Sequence, residues 1–450
     1  MIYDFVIVGN GILGTSLAWK LAEKLPEASV VIIGPKDRFG SASVASGAML
    51  NVFGELENNF NKNPALLEKF KLGYESLKMW KKFHEELEEK SNSKIEIRWG
   101  TNIINSASMT KFEDQTFSFL KNFISSYNSN KLNKINPNKK IKGLYPQYWS
   151  RCLETINIED GMIRSDQVLS SLDKINFNLK NLIRFDDVLK KLKIKKGIKT
   201  LFLKKNNKIE CKNIIFANGA YAQEIIDYIP EIKKNVPRLF FNAGCALEIS
   251  RNAERNKATK TKDLPNLPIR TLDRGNACGL HWLPFKTTNT YLGASSNILS
   301  RPEKNPRSNS VGYLIQEASN MISSEVGKSS FVGIRYGYRP TSADTFPLLG
   351  ETHLKGIWMV NGTKRDGFTS SPKIIDSLVK DLINESKKLP RIFQPSRKLI
   401  SYYKKNIAIE KAFISIFNKQ NSHGMKLTDH NYYDEYKIEI YKKIENIYSK

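Results

Sequence analysis

Cysteine is scarce: four occur in 450 residues (Cys152, Cys211, Cys245 and Cys278), and no two form a CxxC pair. That usage excludes the disulfide framework on which small secreted domains rely. Cys278 and His281 lie three apart, but nothing near them completes a zinc ligand set, so no metal is expected. An apolar run of about 20 residues is also missing, which argues against a membrane-spanning helix. No Lys or Arg precedes the mildly apolar stretch Phe5 to Ala22, and Asp4 opens it, so it does not read as a secretory signal and a cytoplasmic location is expected. Acidic residues are the third shortage, 45 Asp and Glu against 71 Lys and Arg, for a net charge of +26. Charge of that size would suit nucleic acid. The basic residues are nevertheless scattered and travel with abundant Asn and Ile, as an AT-rich coding sequence would produce, and no stable nucleic-acid partner is expected. Internal repeats and low-complexity tracts are absent.

What is present is globular: 40% hydrophobic, 10% aromatic and 26% charged residues, in a chain long enough for two or three domains of roughly 100–200 residues. Ile2 to Val8 reads as a buried strand. Gly9-Asn10-Gly11-Ile12-Leu13-Gly14 follows, then a helical pattern to Lys24 and a second strand from Ser29 to Ile33. A GxGxxG between strand and helix is a dinucleotide-binding fingerprint. Gly9 permits the tight turn, Gly11 admits a pyrophosphate close to the backbone, and Gly14 lets helix and strand pack, while the helix N-terminus offers unpaired N–H groups to the anion. One feature departs from the pattern. The acid expected at the end of the second strand, where it would bind ribose hydroxyls, is replaced by Gly34, leaving Asp37 or backbone and water to serve.

Helical spacing recurs from Pro64 to Lys90 and from Lys111 to Tyr127, with a strand-like Ile95 to Trp99 between them. Leu189 to Ile194, Thr200 to Leu203 and Ile209 to Ala217 read as a meander returning to the nucleotide-binding unit. Phe240 to Ile249 and Gly279 to Gly293 look like strands, joined by a polar connection from Ser250 to Asn266. Beyond Gly333 the chain reads as Gly- and Pro-rich turns, ahead of a closing helix from Ser371 to Leu382.

Four stretches, in this order, resemble the glycine oxidase and D-amino-acid oxidase family of FAD flavoproteins. Ser41 to Leu50, with Ser41, Ser43, Ser46, Gly47 and Met49, resembles the family's small-residue loop against the flavin and its diphosphate. Asp187-Val188-Leu189, followed by Ile214 to Tyr221 with its Gly219, resembles the adenine-side strand and glycine turn. Gly337-Tyr338-Arg339-Pro340 with Asp344 to Gly350 resembles the Gly-x-Arg-Pro…Asp-x-x-Pro-x-x-Gly signature. Val360 to Pro372, with Gly362, Arg365, Asp366, Gly367 and Phe368, resembles the loop and helix start beneath the isoalloxazine ring. The likeness spans residues 1 to 385.

The resemblance implies an α/β fold. A Rossmann-like, glutathione-reductase-like FAD-binding domain would be assembled from residues 1–85, 151–228 and 333–386. A second, mixed-sheet α+β substrate domain would come from 86–150 and 229–332, with a basic extension over 387–450. FAD would be non-covalent, since no Cys lies near Arg339 or in the Ser41 loop. A helix starting near Gly367 would aim its positive end at the flavin. Arg339 matches the family's carboxylate-gripping arginine, the alternative being a surface arginine paired to Asp344; a guanidinium can hold a carboxylate bidentately. Arg365 matches a second arginine near the site, with an ion-pair role equally open. His281 falls where relatives place an aromatic facing the flavin.

The activity implied is oxidation of the C–N bond of a small carboxylate-bearing amine, an amino acid or N-methyl amino acid. Hydride would pass to flavin N5, the imine would hydrolyse in water, and oxygen or a respiratory carrier would be the final electron acceptor. Two alternatives stand beside it: an FAD-dependent tRNA-modification oxidoreductase, which the basic charge favours, and a non-catalytic flavin-bearing assembly protein. The extension, with 14 Lys and Arg against 6 Asp and Glu, would dock on anionic lipid, RNA or a partner, or stabilise a homo-oligomer.

Overall fold

The computed structural model describes residues 1–56, 60–109, 111–127, 141–195, 197–251, 263–272, 279–286, 289–299, 301–385 and 388–400. Cys278, most of the polar connection after Ser250 and the extension beyond 400 lie outside the described residues. The chain opens with β1 (Ile2–Val8), α1 (Ile12–Lys24) and β2 (Val30–Ile33). A helical turn, α2 (Ala42–Ala45), and β3 (Met49–Leu50) lead to the long helix α3 (Pro64–Ser91), then β4 (Ile97–Ser106) and α4 (Lys111–Tyr127). Next come β5 (Cys152–Ile163), α5 (Ser165–Phe177), β6 (Leu182–Phe185) and the meander β7 (Leu189–Lys195), β8 (Ile198–Leu203) and β9 (Lys208–Phe216). Two short helices, α6 (Ala222–Ile226) and α7 (Pro230–Asn235), precede β10 (Leu239–Ser250), β11 (Ile269–Arg270), β12 (His281–Pro284), β13 (Asn289–Gly293) and β14 (Asn297–Leu299). The described chain closes with α8 (Ser308–Met321), β15 (Ser330–Ser342), β16 (Leu348–Glu351), β17 (Ile357–Asn361) and α9 (Gly367–Leu382).

Two sheets result. The first has the order β16-β17-β9-β1-β2-β6, its core pairs β17-β9, β9-β1, β1-β2 and β2-β6 all parallel, with the β7-β8 hairpin attached to β9. Runs such as Val30-Val31-Ile32-Ile33, buried on both faces, are what an interior parallel strand requires. One face packs on α1, α3, α5 and α9 and the other on the meander and the α6–α7 segment. The second sheet, β14-β10-β13-β12-β11-β4-β5-β3 with β15 along β10, is antiparallel except for the β11–β4 pair. Among the described residues no helix is long and apolar enough to cross a membrane.

The βαβ opening and the meander lie where the sequence pattern places them. Several elements do not. The helix α5 escapes notice because its buried Val168, Leu169, Leu172 and Ile175 sit among Ser, Asp and Lys. β5 and α8 likewise follow no expectation above. β15, read as turns for its Gly333, Gly337 and Pro340, is a 13-residue strand because it pairs along the whole of β10, with a bulge between Glu248 and Ile249. The closing helix starts at Gly367, four residues ahead of Ser371, and carries Pro372 in its interior. Proline offers no N–H to the carbonyl four residues back. That carbonyl, Phe368 O, instead accepts from Trp80 Nε1 at 3.2 Å and Ser371 Oγ at 2.9 Å, and Trp80 also donates to Thr369 O at 3.0 Å. Trp80 belongs to α3 and is fully buried, so one indole both fills the helix interface and satisfies the proline's orphan.

Candidate active site

At the C-terminal ends of the first sheet's parallel strands, and reaching to the second sheet, lies a cleft of about 610 Å³. This is within the range of small-molecule sites. Its floor at one end is the β1–α1 turn. Gly9 has φ +112°, and a Cβ on it would meet the Ala217–Asn218 backbone at 2.5 Å. A Cβ on Gly14 would lie 1.9 Å from Gly9 O, so Gly14 is what lets α1 seat against the turn, from behind the cleft. Gly11 and Ile12 face the cleft beside Ser43, whose Oγ accepts the Ile12 N–H at 3.0 Å. Ser41, Ser46, Gly47, Met49, Val188 and Gly219 line it as well. Asn361 Nδ2 donates to Gly219 O at 3.0 Å, tying the two glycine turns together. Gly362, at φ +68°, shapes that turn beside Leu348 and does not line the cleft. Asp366, Gly367 and Phe368 present the N-terminus of α9 to it, an end at which backbone N–H groups favour negative charge.

At the other end stands Arg339, half-buried on β15. Its Nη1 donates to Ser295 O at 2.9 Å, and among the described residues no carboxylate pairs with it. The alternative pairing with Asp344 does not occur. Asp344 is buried and held by Arg397 at 2.9 Å and by the Ile400 N–H at 3.2 Å, 53 and 56 residues further along the chain. Gly244 of β10 makes room for the guanidinium: a Cβ there would come within 2.4 Å of both terminal nitrogens. Tyr291 of β13 and His281 of β12 also line this end. The Tyr291 phenol is buried and pushed above its ordinary range by desolvation. Trp282, the neighbour of His281, points away, its Nε1 donating to Pro265 O at 2.9 Å.

Arg365 lines the same cleft but is engaged by Glu55 at 2.5 Å. Glu55 also meets Arg270, which is fully buried, at 3.1 Å and accepts from Asn51 Nδ2 at 2.9 Å. Behind them Asp160 accepts the N–H groups of Val52, Phe53 and Gly54 at 2.9, 3.2 and 2.9 Å. Burial pushes its carboxyl up to about 6, against those bonds and the nearby Arg270. Thr369 Oγ1 donates to Met49 O and accepts from Asn51 N, fixing this strip to α9.

The sequence pattern thus brings Arg339, Arg365 and His281 into one cleft with the glycine cradle. It misses Gly244, Tyr291 and Glu55. Of these only Gly244 carried a signal, a glycine inside an otherwise apolar strand, which marks a close approach.

A family model for FAD dependent oxidoreductases matches residues 4–374. No curated protein matches the sequence at a significant level. Among solved structures, glycine oxidase from Geobacillus kaustophilus is similar with TM-score 0.72 at 17% identity, over 88% of this chain and 99% of that one. Iminodiacetate oxidase from Chelativorans sp. BNC1 gives 0.69 at 18% identity, over 88% and 100%. L-proline dehydrogenase from P. horikoshii gives 0.65 at 16%, over 88% and 97%.

Proposed function

The chain belongs to the FAD-dependent oxidoreductase family, and on that premise we propose that it oxidises the C–N bond of a small amine bearing a carboxylate, an amino acid or N-methyl amino acid. One observation carries the reading: Arg339 faces the cleft that holds the glycine cradle, and no carboxylate of the described chain neutralises it. The fold neighbours whose names include glycine, iminodiacetate and L-proline support the same substrate class.

The cradle fits a dinucleotide held non-covalently: a Cβ on Gly9 would strike the Ala217–Asn218 backbone and break the turn, and one on Gly11 would stand 2.9 Å from Ser43 Oγ, where the α1 N-terminus faces the cleft. Ser41, Ser43, Ser46, Gly47 and Met49 would line the flavin and diphosphate, Val188 and Gly219 the adenosine side, and Asp366, Gly367 and Phe368 the ring end. Bound FAD would supply the acceptor for the hydride of the substrate α-carbon. Arg339, braced on Ser295 O and lying over Gly244, would hold the substrate carboxylate and so fix that carbon's distance and face. Tyr291 and His281 would wall the amine side. Arg365 serves foremost as the partner of Glu55. For the domain plan we propose the sequence boundaries given above, except that β3, β5 and β15 are hydrogen bonded into the second sheet.

The test is anaerobic mixing of the flavin-loaded protein with glycine, sarcosine, proline and both enantiomers of common amino acids, following flavin absorbance near ~450 nm. Bleaching by one of them, lost in Arg339→Ala with flavin still bound, is the expected result. Readmitted air then separates oxygen from a respiratory carrier as acceptor. Retained flavin with no bleaching by any amine would overturn the reading, and modified tRNA would be the next substrate to try.

A further inference from the structure

We propose that Asn10 takes the place of the missing ribose-binding acid and holds the adenosine ribose of the dinucleotide through its Oδ1. In βαβ dinucleotide sites a carboxylate at the end of the second strand, about 20 residues beyond the glycines, accepts from the ribose 2′-hydroxyl. Here β2 ends at Ile33 and Gly34 stands at that position. The parallel pairing of Val8 with Ile33 sets the residues that follow the two strands side by side. A Cβ on Gly34 would lie 2.4 Å from Asn10 Cγ, 2.5 Å from its Oδ1 and 2.8 Å from its Cβ. The Asn10 amide therefore occupies the space in which an acidic side chain at 34 would begin. With Asn at position 10, a side chain at position 34 would require a shift in one of them.

The amide is held in one orientation. Nδ2 donates to Pro35 O at 2.8 Å, which turns Oδ1 into the acceptor that remains. Among the described residues no donor reaches Oδ1, and Asn10 lines the cleft. Its main chain is pinned too: Asn10 O accepts from Arg38 Nε at 2.8 Å, and Arg38 Nη2 is in turn paired with Asp173 at 2.6 Å. The acceptor is thus fixed before a ligand arrives, which lowers the ordering cost of binding. Two other carboxylates at this end are placed differently. Asp187 is buried and turned to the N–H groups of Val188 and Lys205, and Asp37 is exposed and accepts the Phe39 N–H at 3.2 Å. A neutral amide also discriminates less than a carboxylate, because hydrogen bonds to charged groups are the stronger ones.

The inference concerns cofactor binding and stands whether or not an amine is the substrate. It is tested on the full chain stripped of flavin, by titrating FAD and an FAD analogue with 2′-deoxyribose on the adenosine side and reading dissociation constants from flavin fluorescence quenching. The wild type should bind the deoxy analogue roughly 3- to 10-fold more weakly than FAD, as loss of one neutral hydrogen bond implies. Asn10→Ala should weaken FAD by a similar factor and bring the ratio close to one, while Asp37→Ala leaves the ratio intact. A wild-type ratio preserved in Asn10→Ala, or lost in Asp37→Ala, would overturn the assignment. Should Asn10→Ala fail to fold by circular dichroism, the exchange Asn10→Gly with Gly34→Glu decides: a ratio above the wild type's supports the shared position, and a ratio of one overturns it.

Discussion

At the residue scale, the cleft sorts its arginines by what already holds them. Arg339 has a carbonyl; Arg365 and Arg270 share Glu55. Removing that shared carboxylate takes from the fully buried Arg270 guanidinium its pairing with Glu55, and breaking a buried pair costs about 3–5 kcal/mol. Glu55→Ala is therefore expected to lower the unfolding free energy by that order in denaturant titration, with Glu55→Gln, which keeps an acceptor, losing less. Gly244→Ala puts a methyl where the Arg339 guanidinium lies. Its expected signature is a rise in the KM for the amine of about tenfold, roughly 1.4 kcal/mol, with the FAD dissociation constant unchanged. Asp160 predicts a pH dependence. Its carboxyl is raised to about 6 from an ordinary 3.8, so the native state takes up a proton at a pH where the unfolded chain does not. Stability from this group accordingly grows as pH falls through 6 and levels off below 3.8. Between pH 7 and 5, wild-type stability should gain about 1.4 kcal/mol relative to Asp160→Asn, which cannot titrate there. Equal slopes for the two proteins would contradict the burial argument.

At the element scale, the contact between α3 and α9 positions the end of α9 that faces the cleft. Trp80 serves the Phe368 carbonyl, which Pro372 cannot, and the Thr369 carbonyl beside it, whose helical donor Lys373 N turns instead to Ser76 Oγ. Trp80→Phe keeps most of the apolar volume and removes the donor, leaving a buried carbonyl short of a partner, and should cost about 1–3 kcal/mol. In a Pro372→Ala background the new N–H can reach Phe368 O, so the same Trp80→Phe substitution should cost less. A double-mutant cycle by thermal unfolding measures that difference, and additive costs would show the two groups to be independent.

Across the whole molecule, β15 is the element that brings the two sheets to one site. Its length pairs with β10 in the second sheet, while Tyr338 N donates to Gly40 O at 3.0 Å and Thr341 bridges to Thr363 beside the first sheet's glycine turn. Gly337 permits that approach: a Cβ on it would lie 2.7 Å from Ser41 O and 2.8 Å from Ala45 Cβ. Gly337→Val should push the Ser41 loop away and weaken FAD binding at least tenfold, read by flavin retention on gel filtration, while far-ultraviolet circular dichroism stays near the wild type's.

The nucleotide end of this protein is legible in the residue order alone. Gly9, Gly11 and Gly14 between a buried strand and a helix are a local device, their spacing dictated by one turn, so a few consecutive residues suffice to announce it. Arg339 and the loops around Gly47 and Gly367 were legible for a similar reason, as short runs matching a family. Which charges are already paired and which are available emerges only once the chain is folded. Arg365 is bound by a residue 310 positions earlier, Asp344 is claimed by Arg397 rather than by Arg339, and the Asn10 amide fills the space left by Gly34. The physical reason is that ion pairing and steric exclusion depend on distances through space, which sheet pairings such as β10 with β15 set and the order of residues along the chain does not reveal.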